Sequence, residues 1–197
     1  IVGGDGSPEQ KRLVRFYNYK DVLSNINEGI HQANADKEMI SAVLNYYNPE
    51  GSTRYVFRPT NRPVYPTQRS HVNFVVAEPY SWQEIAAQTL DRMECVVAYV
   101  RNTYLDFRVP YTIGDENKDY RPDFIVKVKK PDETEVNMIV ECQDFDGDNS
   151  GHKEDKRHYL RDYWLPAANN LKTYGEWQLL EVRDIDQLEN LINEKIK

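Results

Sequence analysis

Two carboxylates at the ends of neighbouring apolar runs are the residues best suited to chemistry. Asp123 follows Arg121-Pro122 and opens Phe124-Ile125-Val126, while Glu141, eighteen positions later, closes Met138-Ile139-Val140 ahead of Cys142 and Gln143. If each run is a strand and a hairpin joins them, the two carboxylates converge at one rim of a sheet. Glu141 and Gln143 are two apart, so both side chains leave the same face of their strand. A converging carboxylate pair suits a hard divalent cation, Mg²⁺ or its near substitute Mn²⁺, held through oxygen ligands. Such a cation polarises a phosphodiester and lowers the pKa of an attacking water. Taken singly, Asp123 reads as a turn residue that opens a strand; Glu141, a lone charge ending an apolar run, is harder to read as structural.

Cations stand at two other places. Residues 51–77 carry Arg54, Arg58, Arg62 and Arg69, and no acidic residue occurs before Glu78. Pro59, Pro63 and Pro66 make this zone extended or loop-like, and Tyr55, Phe57 and Tyr65 are interleaved with the arginines. It reads either as an irregular surface loop or as a segment that contacts phosphates and offers rings for stacking on bases. Further on, Lys153 and Lys156 are three apart and share one face of a predicted helix that also carries Arg157 and Arg161. The plain reading of that run is a solvated helix face.

The elements that must position these groups follow from periodicity. Apolar residues at helical spacing between Tyr19 and Tyr47 predict one or two helices, and Asn48-Pro49-Glu50-Gly51 predicts a turn. His71–Ala77 reads as a short strand. Ser81 with Glu84 three residues on is a capping box that opens a helix running to about Arg101, on which Glu84, Gln88 and Asp91 share a face. Strands are expected at Tyr104–Ile113, Pro122–Val128 and Val136–Cys142, separated by charged turns. A polar Gly/Asp loop over 144–151 leads to a helix from Lys153 to Tyr163, which Pro166 ends or interrupts. A strand at Glu176–Val182 and an amphipathic helix at Ile185–Ile196 close the chain. Trp164 and Trp177 read as packing around the sheet, and Asn169-Asn170 as a helix C-terminus. The core order is therefore α-β-β-β-α-β.

The PD…ExQ pattern resembles the PD-(D/E)xK nuclease superfamily. The segments Arg62-Pro63-Val64-Tyr65-Pro66-Thr67, Val96-Val97-Ala98-Tyr99-Val100, the PDFIV strand, Tyr163-Trp164-Leu165-Pro166-Ala167-Ala168-Asn169-Asn170 and Tyr174-Gly175-Glu176-Trp177 narrow it. Together they are similar to the C-terminal region of type III restriction enzyme Res subunits, over roughly residues 50–183. The resemblance implies a restriction-endonuclease-like αβββαβ core, a central mixed sheet flanked by helices, over 51–197, with residues 1–50 as an N-terminal helical extension or linker. It implies Asp123, Glu141 and the main-chain carbonyl of Cys142 as metal ligands, with Glu84 on the first helix as a further candidate. The family's lysine, two after the glutamate, is here Gln143. Some members carry that lysine on the following helix, which makes Lys156, or Lys153, the substitute. DNA is the implied partner, together with an upstream ATP-dependent helicase or translocase region and a methyltransferase subunit.

Composition bounds these readings. The chain has 197 residues, 25 Lys+Arg, 32 Asp+Glu and a net charge of −7, a balance that argues against a protein that coats nucleic acid. A mean hydropathy of −0.77 and the lack of any run of ~18 apolar residues exclude a membrane span. Cys95 and Cys142 lie in apolar stretches and read as reduced thiols of a cytoplasmic protein. No GxxxxGK phosphate loop, CxxC pair or GxSxG elbow occurs, and His31, His71, His152 and His158 lack metal-ligand spacing. The expectation is a Mg²⁺-dependent endonuclease domain that hydrolyses DNA phosphodiesters, with Asp123 and Glu141 on the metal, Lys156 or Gln143 positioning the water, and the arginines on the backbone. The alternative is a catalytically inactive nuclease-fold module for DNA binding or assembly.

Overall fold

A computed structural model describes residue 42 and residues 50–113, 116–142 and 152–197. The helices expected over 19–47 lie outside the described residues except for Ala42. Four strands build the central sheet: β3 (Val96–Arg101), β6 (Phe124–Lys129), β7 (Glu135–Cys142) and β8 (Glu176–Val182), in that order. β3–β6 and β6–β7 are antiparallel, and β7–β8 is parallel. Parallel neighbours need a long crossover. Here it contains α2 (His152–Tyr159), a π-helical turn (Leu160–Trp164) and α3 (Leu165–Leu171). The helix α1 (Trp82–Arg92) precedes β3, and α4 (Leu188–Lys195) follows β8. Two small hairpins stand apart from this sheet: β1 (Val64–Pro66) with β2 (Phe74–Val76), and β4 (Val109–Ile113) with β5 (Glu116–Tyr120).

The alternation of strand residues sorts the core into two layers. Phe124, Val126 and Val128 of β6 and Val136, Met138, Val140 and Cys142 of β7 pack with Leu90 of α1 and Leu188 and Ile192 of α4. The other face of β7 presents Ile139 to Leu160 and Val109, with Phe107, Trp164 and Trp177 around them. Full burial of each such aliphatic side chain stabilises the fold by about 1.5–3 kcal/mol, so the sheet is held from both sides. Both outer strands are contacted. Beside β3, the His71 N–H donates to Tyr99 O and the Tyr99 N–H to Arg69 O. Beside β8, the Asn169 amide brackets Trp177, donating to its carbonyl at 3.0 Å and accepting from its N–H at 2.7 Å. Each contact interrupts its edge at one residue, Tyr99 on β3 and Trp177 on β8.

Several expectations are corrected. The helix opened by Ser81 stops at Arg92, and Val96–Arg101, expected as its continuation, is strand β3. Val96-Val97-Ala98-Tyr99-Val100 is β-branched and aromatic, a composition that favours a pleated, half-buried surface. Tyr104–Ile113 is not a core strand: only Val109–Ile113 is extended, and it pairs with Glu116–Tyr120, which had the composition of a charged turn. The observed order is α1-β3-β6-β7-α2-β8 with the β4–β5 hairpin inserted, so the first core strand is Val96–Arg101 in place of the expected Tyr104–Ile113, and the shared result is a central mixed sheet with helices. Pro166 does not end its helix. It lies at the start of α3, after a turn in which the Leu165 N–H reaches Leu160 O, an i→i+5 bond that absorbs the proline. The left-handed residue that ends α3 is Lys172, not Asn169 or Asn170.

Asp91 ties the arginine-rich segment to this scaffold. Its carboxylate is buried at 8% exposure. It accepts from the Gln68 N–H (3.1 Å) and the Arg69 N–H (2.9 Å), and the nearby Tyr99 hydroxyl donates to Ala87 O at 3.3 Å. Removing the carboxylate strands buried donors, each costing about 1–3 kcal/mol. Asp91→Ala is therefore expected to lower unfolding free energy by about 3 kcal/mol, measured as a reduced urea midpoint at constant m-value. A loss below about 0.5 kcal/mol, the level of an ordinary surface change, would contradict this assignment.

Candidate active site

β6 and β7 carry the two carboxylates to one end of the sheet. Phe124 is paired with Val140, so Asp123, one step further, stands opposite Glu141. The Cys142 N–H donates to Asp123 Oδ2 at 2.9 Å, so the backbone of β7 holds the acid of β6, and the Asp123 backbone N–H lies on the side of Glu141 where it favours the charged carboxylate. The Asn102 N–H, just past β3, donates to Asp123 O at 2.9 Å. Asn102 in turn brackets Phe107, donating to its carbonyl at 2.8 Å and accepting from its N–H at 3.1 Å. Phe107 stacks on Trp177 (centroids 6.0 Å apart, planes 9° apart) and meets Trp164 edge-on at 5.8 Å. The two tryptophans thus act as packing, and what they fix is the loop that locates Asp123.

Burial governs the protonation of the pair. Desolvation pushes Glu141 up to about 8, against the Asp123 N–H, Lys156 and Arg157, which favour its charged form; Glu181 adds to the rise. Asp123 is raised for the same reason, opposed by the Cys142 N–H and by Arg101. Cys142, buried beside both acids, has its thiol pushed far up and is a free, inert core cysteine. Burial lowers Arg101, and the nearby positive Arg62 lowers it further, while Asp123 favours its charged form. Glu141 Oε1 is shut off from solvent and has no hydrogen-bond partner among the described residues. A buried acceptor without a donor is costly, and a cation is the kind of group that would satisfy it. The donor set, two carboxylates with a nearby main-chain carbonyl at Cys142, consists of hard oxygens and fits Mg²⁺ or Mn²⁺. Among the described residues no three His, Cys, Asp or Glu side chains come together as a metal cage.

The sequence-derived candidates separate into groups. Lys156 is the first side-chain cation acting on Glu141. Lys153 lies in α2, its side chain outside the described residues, and Gln143 lies outside them altogether. Arg157 pairs with Glu181 Oε1, and Arg161 approaches Glu181 Oε2 at 3.4 Å. Glu181, the register partner of Glu141 on β8, was not singled out in the sequence; a charge one residue before the end of the strand is the signal that marks it. Arg101 was likewise missed, because its segment read as helix. Glu84 is corrected as a metal candidate: its Oε2 accepts the Tyr80 N–H at 2.6 Å, and its own N–H donates to Ser81 Oγ at 3.3 Å. Both its groups serve the cap of α1. Arg69 is corrected as a backbone-gripping residue, since its guanidinium donates inward to Asp91 O (3.2 Å) and Val96 O (2.8 Å). Arg54, Arg58 and Arg62 remain exposed.

Comparison with protein-family models, with curated proteins and with solved structures finds no match for this chain.

The raised Glu141 sets a pH dependence with a definite sign. Its ordinary value is 4.5 and its folded value about 8. Between the two, the folded state holds a proton that the unfolded chain has lost, so stability falls as pH rises across that window and levels off above it. In EDTA the melting temperature is expected to drop from pH 5 to pH 8. Glu141→Gln, a permanent mimic of the neutral acid, should match the parent at pH 5 and exceed it at pH 8. Parallel pH profiles for the two proteins would refute this account.

Proposed function

We propose that the chain is a metal-dependent endonuclease domain with a restriction-endonuclease-like core, similar to the C-terminal region of type III restriction Res subunits. The observation that carries the reading is the placement of Asp123 opposite Glu141 at the β6–β7 rim, with the Cys142 N–H on Asp123 Oδ2 and Glu141 Oε1 buried without a donor among the described residues. The order α1-β3-β6-β7-α2-β8 with one parallel pair supports it. Asp123, Glu141 and the Cys142 carbonyl would hold Mg²⁺ or Mn²⁺, which supplies Lewis-acid polarisation of a phosphodiester and a more acidic water. The protein's own contribution is positional. The strand backbone fixes both carboxylates, so the site requires little reorganisation on binding charge. Lys156 extends from α2 toward Glu141 and provides the positive charge for a developing phosphorane that the neutral Gln143 amide lacks. Arg157 fixes α2 against β8 through Glu181 and so fixes where Lys156 stands. In the family, such a domain works with an ATP-dependent translocase and a methyltransferase subunit, and these are the partners the reading implies.

Supercoiled plasmid incubated with the chain and Mg²⁺ or Mn²⁺ is expected to be nicked or linearised. Glu141→Ala and Asp123→Ala should each reduce the rate at least about 10²-fold, and Lys156→Ala more than Lys153→Ala. A second reading, a nuclease-fold module that binds DNA or an assembly without cutting, is favoured by Gln143 standing where the family has lysine. Retained DNA binding with intact plasmid under both metals would select it.

A further inference from the structure

The segment before β1 exposes what a folded chain ordinarily hides. Tyr55 and Phe57 are each 81% exposed, whereas the other rings of the arginine-rich zone, Tyr65 and Phe74, are more covered. Tyr55 ends a 3-10 turn (Thr53–Tyr55) and Val56 after it is extended (φ −76°, ψ 98°), so Tyr55 and Phe57 stand on either side of one extended residue. Arg54, Arg58 and Arg62 flank these rings, and all three are exposed. Arg54 and Arg58 have no carboxylate partner among the described residues, and Arg62 meets only Glu78, at 3.5 Å on the surface, a pair of little energetic weight. No acid occurs from Gly51 to Ala77. The segment also has a direction. Arg62 acts electrostatically on Arg101, and Arg101 on Asp123, so its downstream end is in electrostatic reach of the acid pair.

We propose that Arg54–Arg62 is a track for single-stranded DNA, with Tyr55 and Phe57 stacking on unpaired bases and Arg54, Arg58 and Arg62 meeting the phosphates. Rings accept any base on their π-face, and arginines supply a sequence-independent grip. Duplex bases are already stacked on each other, so the exposed rings select the unpaired strand. A partner protein would be met by aliphatic neighbours as well as rings, and Thr53-Arg54-Tyr55-Val56-Phe57-Arg58-Pro59-Thr60-Asn61-Arg62 contains one aliphatic residue, the half-buried Val56. The use of the track to feed the Asp123–Glu141 rim rests on the nuclease reading; the binding itself does not.

The test is fluorescence anisotropy of labelled oligo(dT) and of an equal-length duplex, with the full chain in EDTA at about 50 mM salt, where cleavage plays no part. Oligo(dT) is expected to bind more tightly than the duplex. Each ring is worth about five- to a hundredfold in single-strand affinity, so Tyr55→Ala/Phe57→Ala should weaken oligo(dT) binding at least twentyfold and duplex binding less than threefold. Arg54→Ala/Arg58→Ala should reduce the salt slope for oligo(dT) by about 1.4. Both pairs are surface residues, and an unchanged circular-dichroism melt verifies the fold. Equal losses for single strand and duplex, or oligo(dT) affinity within twofold of the parent in the ring variant, would overturn the track. So would ring-dependent binding to anionic vesicles, or ring-dependent dimerisation in sedimentation, with no binding of oligo(dT). Plasmid cleavage with ring-independent binding removes the track and leaves the nuclease. Ring-dependent binding without metal-dependent cleavage keeps the track and removes the nuclease.

Discussion

Two half-buried acids at the end of an antiparallel pair, one of them with an oxygen shut off from solvent, are the constraint around which the rest of the structure is arranged. A desolvated carboxylate is expensive, and the chain offsets that cost with backbone donors rather than with a close ion pair. The Cys142 N–H of the opposite strand donates to Asp123, and the Asp123 backbone N–H favours the charged form of Glu141. Such a cross-strand arrangement depends on register. A slip of one residue between β6 and β7 would turn Ile125 and Ile139 to the other face and take the acids with them. The packing of Phe124, Val126 and Val128 against Val136, Met138 and Val140 is what forbids the slip. The core thus sets the protonation of the site, through geometry alone.

The same economy governs the surroundings. The Phe107, Trp164 and Trp177 rings hold Asn102, whose N–H reaches Asp123 O, so an aromatic cluster locates a carboxylate without touching it. On the other side, Asp91 gathers the N–H groups of Gln68 and Arg69, and anchors the arginine-rich segment against α1 and β3. Arg69 is consumed in that anchorage. Its three companions upstream stay outside because nothing of the kind reaches them.

Legibility in the sequence followed how local the cause was. The strands carrying Asp123 and Glu141 were readable to within two residues, because alternation, the preceding proline and the terminal charge are all local signals. The Ser81–Glu84 cap was readable for the same reason, and it also explains why Glu84 is unavailable as a ligand. β3 was not readable from periodicity: Val96, Val97 and Val100 match a helical stripe as well as a strand. The arbiter is the extended backbone of Met93, the C-cap of α1, which no residue type there announces. The β4–β5 hairpin was hidden for a different reason: Glu116-Asn117-Lys118-Asp119 has no apolar residue, and the pairing is supported by the buried Val109 and Tyr111 of the partner strand, by Tyr120 against the core and by the exposed Asp106–Arg108–Asp119 ion pairs. Arg101 and Glu181 became candidates only through tertiary placement, one beside Asp123 and one beside Glu141.

Net charge illustrates the same distinction between a sum and a place. A chain at −7 repels a polyanion at long range, and screening confines that repulsion to about 8 Å at physiological salt. Inside that distance only the nearest charges matter, and along residues 51–77 those are all positive. Within the acid site the sign is reversed again, but with Glu141 pushed up to about 8 and Asp123 also raised, the pair carries less negative charge at neutral pH than two carboxylates ordinarily would. A phosphate approaching the rim before any cation is bound therefore meets Arg101, Arg62 and Lys156 against a partly neutralised pair. Desolvation, which makes the acids costly to the fold, is on the proposed reading what lets an acidic protein bring a polyanion to them.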